Sequence, residues 1–301
     1  MAGFLSASRL AEVTYTSRRG PASIISPNGF HRAFPRRSAK RALHCTQAVA
    51  LVLLGAAFVE AWRLDAALTL AVLKIAALSL FACAILWRLA GASSLTPVLS
   101  RLAQPTQWPT YTILCPLYRE ANVVPDLVAA LARLDYPPHA LDIKLLIESD
   151  DVDTLAAALA VSAGDHIELV LIPPAAPRTK PKALNAGLAR ARGELLVVFD
   201  AEDRPHPQQL RAALAAFEDG GPALACLQAP LAIDNAHVSW IARQFAAEYA
   251  IQFRETLPML ARFGLPIPLG GSSNHFRIEA LRAIGGWDPY NVREKVRAFA
   301  T

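Results

Sequence analysis

The segment from Glu194 to Asp203 reads ELLVVFDAED, and it constrains the fold more than any other stretch of the chain. Its apolar half is typical of a buried strand, and three carboxylates follow, those of Asp200, Glu202 and Asp203. Acidic residues that follow a buried strand lie at the rim of a sheet, where open α/β proteins bind ligands. Clustered carboxylates need a cation, and oxygen ligands suit Mg²⁺ or Mn²⁺. An ordinary acidic helix N-terminus is the alternative that this segment alone leaves open.

Strand-like and helix-like patterns alternate along the chain from residue 111 to residue 217. The predicted strands are 111–115, 143–147, 167–172 and 195–199. The predicted helices are 121–134, 151–162, 181–192 and 207–217. Such alternation predicts an α/β fold, with a mostly parallel sheet flanked by helices on both faces.

Two long apolar runs precede this region. The chain is 53% hydrophobic and only 18% charged, which is too apolar for an ordinary soluble protein of 301 residues. Residues 43–62 and 66–87 are each about as long as a membrane crossing of roughly 20 residues requires. The polar hinge Arg63-Leu64-Asp65 separates them. We therefore predict a transmembrane α-hairpin over 43–90; buried helices of a soluble core are the alternative.

The basic charge is concentrated before the hairpin. Residues 1–42 contain eight Lys or Arg residues and one Glu, within a chain of net charge +5. This segment predicts a disordered basic tail, and 91–109 predicts a linker. With Arg88 after the second run, the positive-inside rule places the tail and everything after residue 88 in the cytoplasm. We therefore expect a multi-pass protein of a bacterial-type inner (plasma) membrane. A nucleic-acid partner is not expected, because a membrane segment follows the tail directly.

Polar clusters follow each predicted strand. They are 115–120, 148–151, 178–185 and 200–203. Right-handed crossovers bring all four to one edge of the sheet. Carboxylates, a basic helix start at Lys182 and an acidic metal-like cluster then face one crevice, which suits a nucleotide diphosphate with a divalent cation. The sequence contains no glycine-rich phosphate loop, so metal and lysine would hold the phosphates.

Five motifs together resemble one protein family. They are PLYRE at 116–120, KALNAG at 182–187, DAED at 200–203, GGSSN at 270–274 and GGWD at 285–288. The chain resembles the processive, membrane-embedded family 2 glycosyltransferases, which include the cellulose, hyaluronan and chitin synthases. The resemblance covers about 111–292 plus the hairpin. It implies a GT-A-like transferase domain over 110–292 that uses a UDP-sugar.

The resemblance also implies roles for individual residues. The expected donor-binding residues are Pro116, Tyr118, Glu120, Glu148, Asp150, Lys182 and Asn185. The expected Mg²⁺ or Mn²⁺ ligands are Asp200, Glu202 and Asp203. The expected acceptor-side residues are Gly271, Ser272, Ser273, Asn274, Trp287 and Asp288. Lys182 would approach the diphosphate. Which carboxylate of Glu148, Asp150 and Asp151 contacts the nucleoside stays open.

The pattern departs from the family near the end of the chain. An inverting transferase needs a base to deprotonate the acceptor hydroxyl. In the family this is the aspartate of a Thr-Glu-Asp motif, but here the stretch reads NVREK, so that Glu294 matches the middle position and Lys295 stands in place of the base. The later Gln-x-x-Arg-Trp motif is also missing. Residues 293–301 are therefore expected to be an aberrant end, as in a truncated or frameshifted copy or in a fragment.

Three functional classes follow from these patterns. The first is an inverting, metal-dependent membrane glycosyltransferase that extends a glycan, as in exopolysaccharide synthesis, with a nucleotide sugar, an acceptor glycan and the lipid bilayer as partners. The second is an inactive remnant or regulatory partner that binds nucleotide only. The third is a soluble α/β nucleotide-binding protein. A separate ambiguity concerns the basic, aromatic segment 236–262, which suits either the membrane surface or packing against the domain.

Overall fold

The computed structural model describes residues 29–35, 38–40, 43–92, 102–161 and 166–291. Most of the predicted tail, part of the linker and the predicted aberrant end with Glu294 lie outside these residues. The chain divides into two compact units. One contains the described residues within 1–38, 98–230 and 268–301, and the other contains those within 39–97 and 231–267.

The first unit is built on a six-stranded sheet. Its strands are β1 Tyr111–Leu117, β2 Leu141–Glu148, β3 Ile167–Ile172, β4 Leu195–Val198, β5 Cys226–Gln228 and β6 Asn274–Arg277. They lie in the order β3-β2-β1-β4-β6-β5. The first four strands pair in parallel, and β6 runs antiparallel to both of its neighbours. The predicted mostly parallel sheet is confirmed.

Helices cover both faces of this sheet, as the alternating pattern predicts. They are α4 Val124–Leu131, α5 Val152–Val161, α6 Lys180–Arg190, α7 Gln209–Gly220 and α10 Ile278–Ala283; this unit also contains the short helix α1 Gly29–Ala33. All residues of β2 and β4 are buried, as expected for strands with helices on both sides. One apolar core lies against α4 and α7, and a second lies against α6 and α10. The strand ends are thereby fixed in place.

The second unit contains the two apolar helices. They are α2 Cys45–Leu64 and α3 Ala66–Ala92, joined by Asp65. The Asp65 carboxylate accepts a hydrogen bond of 2.9 Å from the Leu68 amide, which satisfies one of the free amides at the start of α3. Both helices are long and apolar enough to cross a membrane, and no part of their apolar windows is buried. The alternative of buried core helices therefore does not fit the described residues.

The second unit also contains an insertion between β5 and β6. It comprises α8 Trp240–Ile251, a π-helical turn Gln252–Thr256 and α9 Leu257–Arg262. The predicted domain over 110–292 includes these residues. In the structure they group with the two apolar helices. A helical pattern shows that a segment has an apolar side, but it does not show which unit that side will contact.

Candidate functional site

A cavity of about 320 Å³ opens at the carboxyl ends of the parallel strands in the first unit. Its walls come from the segments after β1, β2 and β4 and from the start of α6. It is lined by Pro116, Leu117, Tyr118, Glu120, Leu146, Glu148, Ile172, Arg178, Thr179, Lys180, Ala183, Asp200, Ala201 and Glu202. The crossovers thus bring the four polar clusters to one crevice.

The first turn of α6 determines which lysine faces this cavity. An α-helix turns by about 100° per residue, so residues two apart point to nearly opposite sides. Lys180 lies one turn before Ala183 and Leu184, which pack onto the sheet, and it lines the cavity. Lys182 is not among the lining residues. This differs from the expectation that Lys182 approaches the phosphates.

Lys182 instead forms a buried ion pair with Glu148. The Lys182 Nζ lies 2.8 Å from Glu148 Oε1, and the two side chains are only 7% and 8% exposed. The Lys182 ammonium also donates to the carbonyl oxygens of Pro173 and Ala175, at 3.0 and 2.9 Å. Among the described residues, the buried Glu148 Oε2 has no hydrogen-bond partner. The carboxylate is therefore held by lysine through one oxygen, while its other oxygen is buried and unsatisfied among the described residues.

Lys180 bridges the acidic cluster and the Gly270–Asn274 turn. Its ammonium donates to Asp200 Oδ1, and it donates to the carbonyl oxygen of Gly271 at 2.6 Å. Burial raises the pKa of Asp200, and the neighbouring Glu202 raises it further, whereas Lys180 acts in the opposite direction. The Asp200 carboxylate is thus half-buried in a site where a nearby cation stabilises its charged form, as Lys180 does here.

The third carboxylate of the cluster points elsewhere. Asp203 Oδ2 accepts hydrogen bonds from the Ser272 hydroxyl and from the Asp200 amide, the latter at 2.6 Å. Burial raises the pKa of Asp203. Asp200 and Glu202 line the cavity, but Asp203 does not.

The donor set suits a partial metal site. Among the described residues, no three His, Cys, Asp or Glu side chains are grouped so as to hold a metal ion. Mg²⁺ is commonly bound by one or two carboxylates together with substrate phosphates. Asp200 and Glu202 fit this arrangement, with the remaining ligands to come from a phosphate-bearing substrate and water.

The loop after β1 forms another wall of the cavity. Glu120 accepts a hydrogen bond of 3.3 Å from the Tyr118 amide, and burial raises the pKa of Glu120. Arg119 adopts a left-handed conformation, with φ 59°, and its amide donates to Asp151 Oδ2 at 2.5 Å. Asp151 also accepts from the Thr154 amide at 3.3 Å, so it ties the loop to the start of α5. Its role is therefore to hold the loop in shape.

Asp150 lies at the rim and pairs with a residue that sequence reasoning did not assign. Its Oδ2 is 2.7 Å from the Arg178 guanidinium, and both side chains are about two-fifths exposed. Arg178 lines the cavity. Of the three carboxylates left open by the sequence, Glu148 lines the cavity, Asp150 borders Arg178, and Asp151 holds the loop.

The predicted acceptor-side residues separate into two groups. Gly271, Ser272, Ser273 and Asn274 belong to the turn that contacts Lys180 and Asp203. Ser273 has φ 55°, and its amide donates to the Val198 carbonyl at 2.8 Å, which joins the turn to the end of β4.

The second group is buried away from the cavity. Trp287 is 2% exposed and packs edge-on against Phe276. Asn185, a predicted donor-binding residue, donates to the Trp287 carbonyl at 2.7 Å and accepts from the Trp287 amide at 2.9 Å. Asp288 is 8% exposed, and its Oδ1 accepts from the Ser38 hydroxyl at 3.3 Å. Asn185, Trp287 and Asp288 therefore hold a turn in place and do not line the site.

Helical spacing could have identified Lys180 from the sequence. Ala183, Leu184, Gly187 and Leu188 recur at the spacing of one helical face, and Lys180 extends that face towards the strand ends. Arg178 gave no such signal, because it lies in the connection before the helix.

Comparison with known proteins gives concordant matches. The sequence model of the family described as "Glycosyltransferase like family 2" matches residues 109–295. A β-monoglucosyldiacylglycerol synthase from Synechocystis sp. is 25% identical over 225 residues, covering 70% of this chain and 46% of that protein. The probable glycosyltransferase YdaM from Bacillus subtilis is 30% identical over 99 residues, which are 32% of this chain and 24% of YdaM. The chain thus spans less than half the length of these curated relatives.

Two solved structures are also similar. The mannosyltransferase PcManGT from Pyrobaculum calidifontis, in complex with GDP-Man and Mn²⁺, is 20% identical, with a TM-score of 0.44 over 68% of this chain and 60% of that chain. Glucosyl-3-phosphoglycerate synthase from Mycobacterium tuberculosis, in complex with Mn²⁺, UDP and phosphoglyceric acid, is 17% identical, with a TM-score of 0.37 over 57% of this chain and 56% of that chain. Since the family model covers more than half of the sequence, the chain belongs to the family described as "Glycosyltransferase like family 2".

Proposed function

We propose that this protein binds a nucleotide sugar together with Mg²⁺ or Mn²⁺ and transfers the sugar to an acceptor at a membrane. One observation carries the proposal: Glu148, Lys180, Asp200 and Glu202 line a single cavity at the strand ends. Two carboxylates can hold the cation, a lysine can meet phosphate oxygens, and a fixed carboxylate oxygen can accept a hydrogen bond from the nucleoside. Family membership supports the same chemistry.

In this proposal Lys180 takes the phosphate role that the sequence suggested for Lys182. The Lys180 side chain is 24% exposed, whereas the Lys182 side chain is 7% exposed and has its ion pair with Glu148. A cation that bound Asp200 would compete with the Lys180 ammonium for that carboxylate. Lys180 would then turn towards the diphosphate that accompanies the cation. Its ammonium would pair with Asp200 in the empty site and with a phosphate oxygen in the loaded site.

The divalent ion would neutralise the diphosphate and so assist its departure. This chain's residues would orient the donor: Asp200 and Glu202 on the cation, and Glu148 Oε2 and Arg178 on the nucleoside side of the cavity. The base that would deprotonate the acceptor is not assigned, because Glu294 and Lys295 lie outside the described residues. Transfer with inversion accordingly stays a proposal.

A membrane lipid is the acceptor that we favour over a growing polysaccharide. The curated relative from Synechocystis is named as a glycolipid synthase, which does not support the finer resemblance to polysaccharide synthases. The two apolar helices α2 and α3 would hold the transferase at the membrane that contains such an acceptor. Lys74 is the ninth of the 27 residues of α3, so its charge lies within the proposed span, where an ammonium is costly unless it is paired or reaches the interface.

A second candidate is nucleotide binding without transfer. The sequence observation that favours it is Lys295, at the position where the family carries its base. The two candidates share the donor site, and they differ only in whether sugar reaches an acceptor. A measurement of binding and a measurement of transfer therefore separate them.

The binding experiment uses the full chain in lipid nanodiscs and calorimetric titration with UDP, with and without Mn²⁺. We expect binding that requires Mn²⁺ and that is lost in Asp200→Asn. Lys180→Met should weaken binding roughly 10- to 100-fold, the equivalent of one charge-assisted hydrogen bond of about 1.5–3 kcal/mol. Arg190→Gln is a matched control, because it removes a positive charge at the other end of the same helix.

The transfer experiment supplies UDP-glucose and diacylglycerol in the same nanodiscs and follows labelled sugar in the lipid fraction. Labelled glycolipid supports the transferase proposal, and Mn²⁺-dependent binding without transfer to lipid or to polymer supports the second candidate. Absence of any Mn²⁺-dependent binding by UDP or GDP would refute the donor site itself.

A further inference from the structure

The short helix α1 leads into a contact with a turn near the other end of the described chain. This turn, residues 285–289, follows α10. Phe34 lies just after α1, and its ring centroid is 5.3 Å from that of the buried Phe30. A Cβ placed on Gly285 would lie 2.7 Å from Phe34 Cε2. The Phe34 ring therefore closes one side of the turn and leaves no space for a side chain at position 285.

Ser38 makes a polar contact with the same turn. It is buried, and its hydroxyl donates to Asp288 Oδ1 at 3.3 Å. The two residues are 250 positions apart in the chain. Buried polar groups need hydrogen-bond partners, so this contact fixes the chain around Ser38 against the turn. Phe34 and Ser38 thus hold the turn by packing and by a hydrogen bond.

The next residue of the turn faces α6. A Cβ placed on Gly286 would lie 2.5 Å from Asn185 Oδ1 and 3.2 Å from Leu188 Cδ2. Gly285 and Gly286 have φ 86° and 73°, in the left-handed region that favours glycine. One glycine contacts the Phe34 ring and the other contacts α6. The turn therefore lies between the N-terminal segment and this helix.

A threonine connects the same turn to the donor cavity. Thr179 is the N-cap residue of α6, where a Thr side chain commonly accepts a hydrogen bond from its own helix. Here the Thr179 side chain makes no capping bond, and its hydroxyl donates to the Pro289 carbonyl at 2.7 Å. Thr179 lines the cavity and directly precedes Lys180. The turn thus determines where the first residues of α6 lie relative to the cavity.

We propose that Phe34 and Ser38 are positioning residues for the donor site. They hold the turn 285–289 against α6, and through Thr179 the turn holds Lys180 where it reaches Asp200 and the Gly271 carbonyl. Neither Phe34 nor Ser38 lines the cavity, so their effect on a ligand is indirect. The inference rests on the proposed function, because it concerns the binding of a diphosphate by Lys180.

The experiment compares UDP affinity with stability in the full chain, reconstituted in nanodiscs. Calorimetric titration with UDP and Mn²⁺ gives the affinity, and thermal unfolding gives the Tm. The variants are Phe34→Ala, Ser38→Ala, Thr179→Val, which removes the hydroxyl at nearly constant shape, and Thr179→Ser, which keeps it. Each variant is also made in a Lys180→Met background.

Phe217→Leu is the control for a change that affects stability alone. Phe217 is buried in α7 and lies under the Arg277 guanidinium, 5.1 Å from its ring centroid. Arg277 is paired with Leu195 at the start of β4, whereas the cavity lies at the strand ends.

We expect Phe34→Ala and Thr179→Val to weaken UDP binding roughly 3- to 10-fold, because a displaced Lys180 loses part of a charge-assisted hydrogen bond. Ser38→Ala should weaken it roughly 2-fold, and Thr179→Ser should resemble the wild type. In the Lys180→Met background none of these changes should weaken binding further, since the contact through which they act is absent. Phe217→Leu should lower the Tm and leave the UDP affinity unchanged.

Three results would overturn the proposal. If Phe34→Ala lowers the Tm but UDP affinity stays at the wild-type value, the contact is only structural and the donor site stands. If the loss of affinity is equal with and without Lys180, the effect does not pass through that residue. If the wild type shows no Mn²⁺-dependent binding of UDP or GDP, the donor site fails and the positioning role with it. Should Phe34→Ala not fold, Thr179→Val decides alone, and unchanged affinity in that variant refutes the connection.

Discussion

The buried pair between Lys182 and Glu148 allows a quantitative test of the structure. Each side chain is less than a tenth exposed, and the ion pair is 2.8 Å long. Removal of one partner leaves an uncompensated buried charge, which costs about 3–5 kcal/mol in comparable sites. Lys182→Met and Glu148→Leu should each destabilise the protein by this amount. For a domain of this size, that is a fall in Tm of roughly 6–20 °C.

The double variant is the informative measurement. Replacement of a buried ion pair by apolar residues of similar volume is often close to neutral, so Lys182→Met/Glu148→Leu should recover most of the lost stability. Thermal unfolding in detergent, followed by tryptophan fluorescence, provides the comparison. If the two single losses of stability simply add in the double variant, or if Lys182→Met is as stable as the wild type, the pairing is refuted. Lys182 would then again be a candidate for binding the phosphates.

Three further outcomes follow from the packing of the same unit. Asn185→Leu should cost about 1–3 kcal/mol, because the buried amide of Trp287 loses its partner; an unchanged Tm would contradict this contact. Gly187→Ala should cost about 1–3 kcal/mol, since the new Cβ would lie 2.8 Å from Leu114 Cδ2; stabilisation would instead show that helix propensity dominates. His275 is fully buried, and burial lowers its pKa to about 3. Because the unfolded chain binds this proton below pH about 6.5, stability should fall by about 2 kcal/mol between pH 6.5 and pH 5, and His275→Asn should lack that part of the loss.

The pH experiment needs the variant as a reference because other groups act in the opposite direction. Burial raises the pKa of both Asp200 and Asp203, so the folded state holds their protons more tightly than the unfolded state. These two groups stabilise the fold as pH falls through their raised pKa values. The difference between the wild type and His275→Asn isolates the histidine, whose ring lies between the Tyr111 hydroxyl and the Gln209 amide.

The sheet and the position of its cavity could be predicted from the sequence because they depend on local periodicity. Apolar runs with a period of two, helical runs with a period near 3.6 and right-handed connections leave few topologies. These patterns predicted that β1 to β4 run parallel to one another. They also predicted that Glu148 and Asp200 lie at the same edge of the sheet, where the strands end. The two strands β5 and β6 were not predicted, because each is only three or four residues long.

The tertiary structure decided which polar side chains face the cavity. Lys180 and Lys182 are two residues apart and equally basic, and only the packing of α6 on the sheet separates a cavity residue from a buried partner of Glu148. The Asn185 amide could bind a polar ligand. In the structure, however, its nitrogen donates to the Trp287 carbonyl and its oxygen accepts from the Trp287 amide.

The same division holds for the insertion. Its sequence predicts a basic, amphipathic helix over 236–262, suited either to the membrane surface or to packing against the domain. The contact between Trp87 and Phe263, which joins positions far apart in the chain, decided that it packs with the apolar helices. The secondary structure of a segment can be predicted from the periodicity of its own residues. Which distant segment it packs against depends on the shapes and the burial of both surfaces, and a sequence pattern does not contain that information.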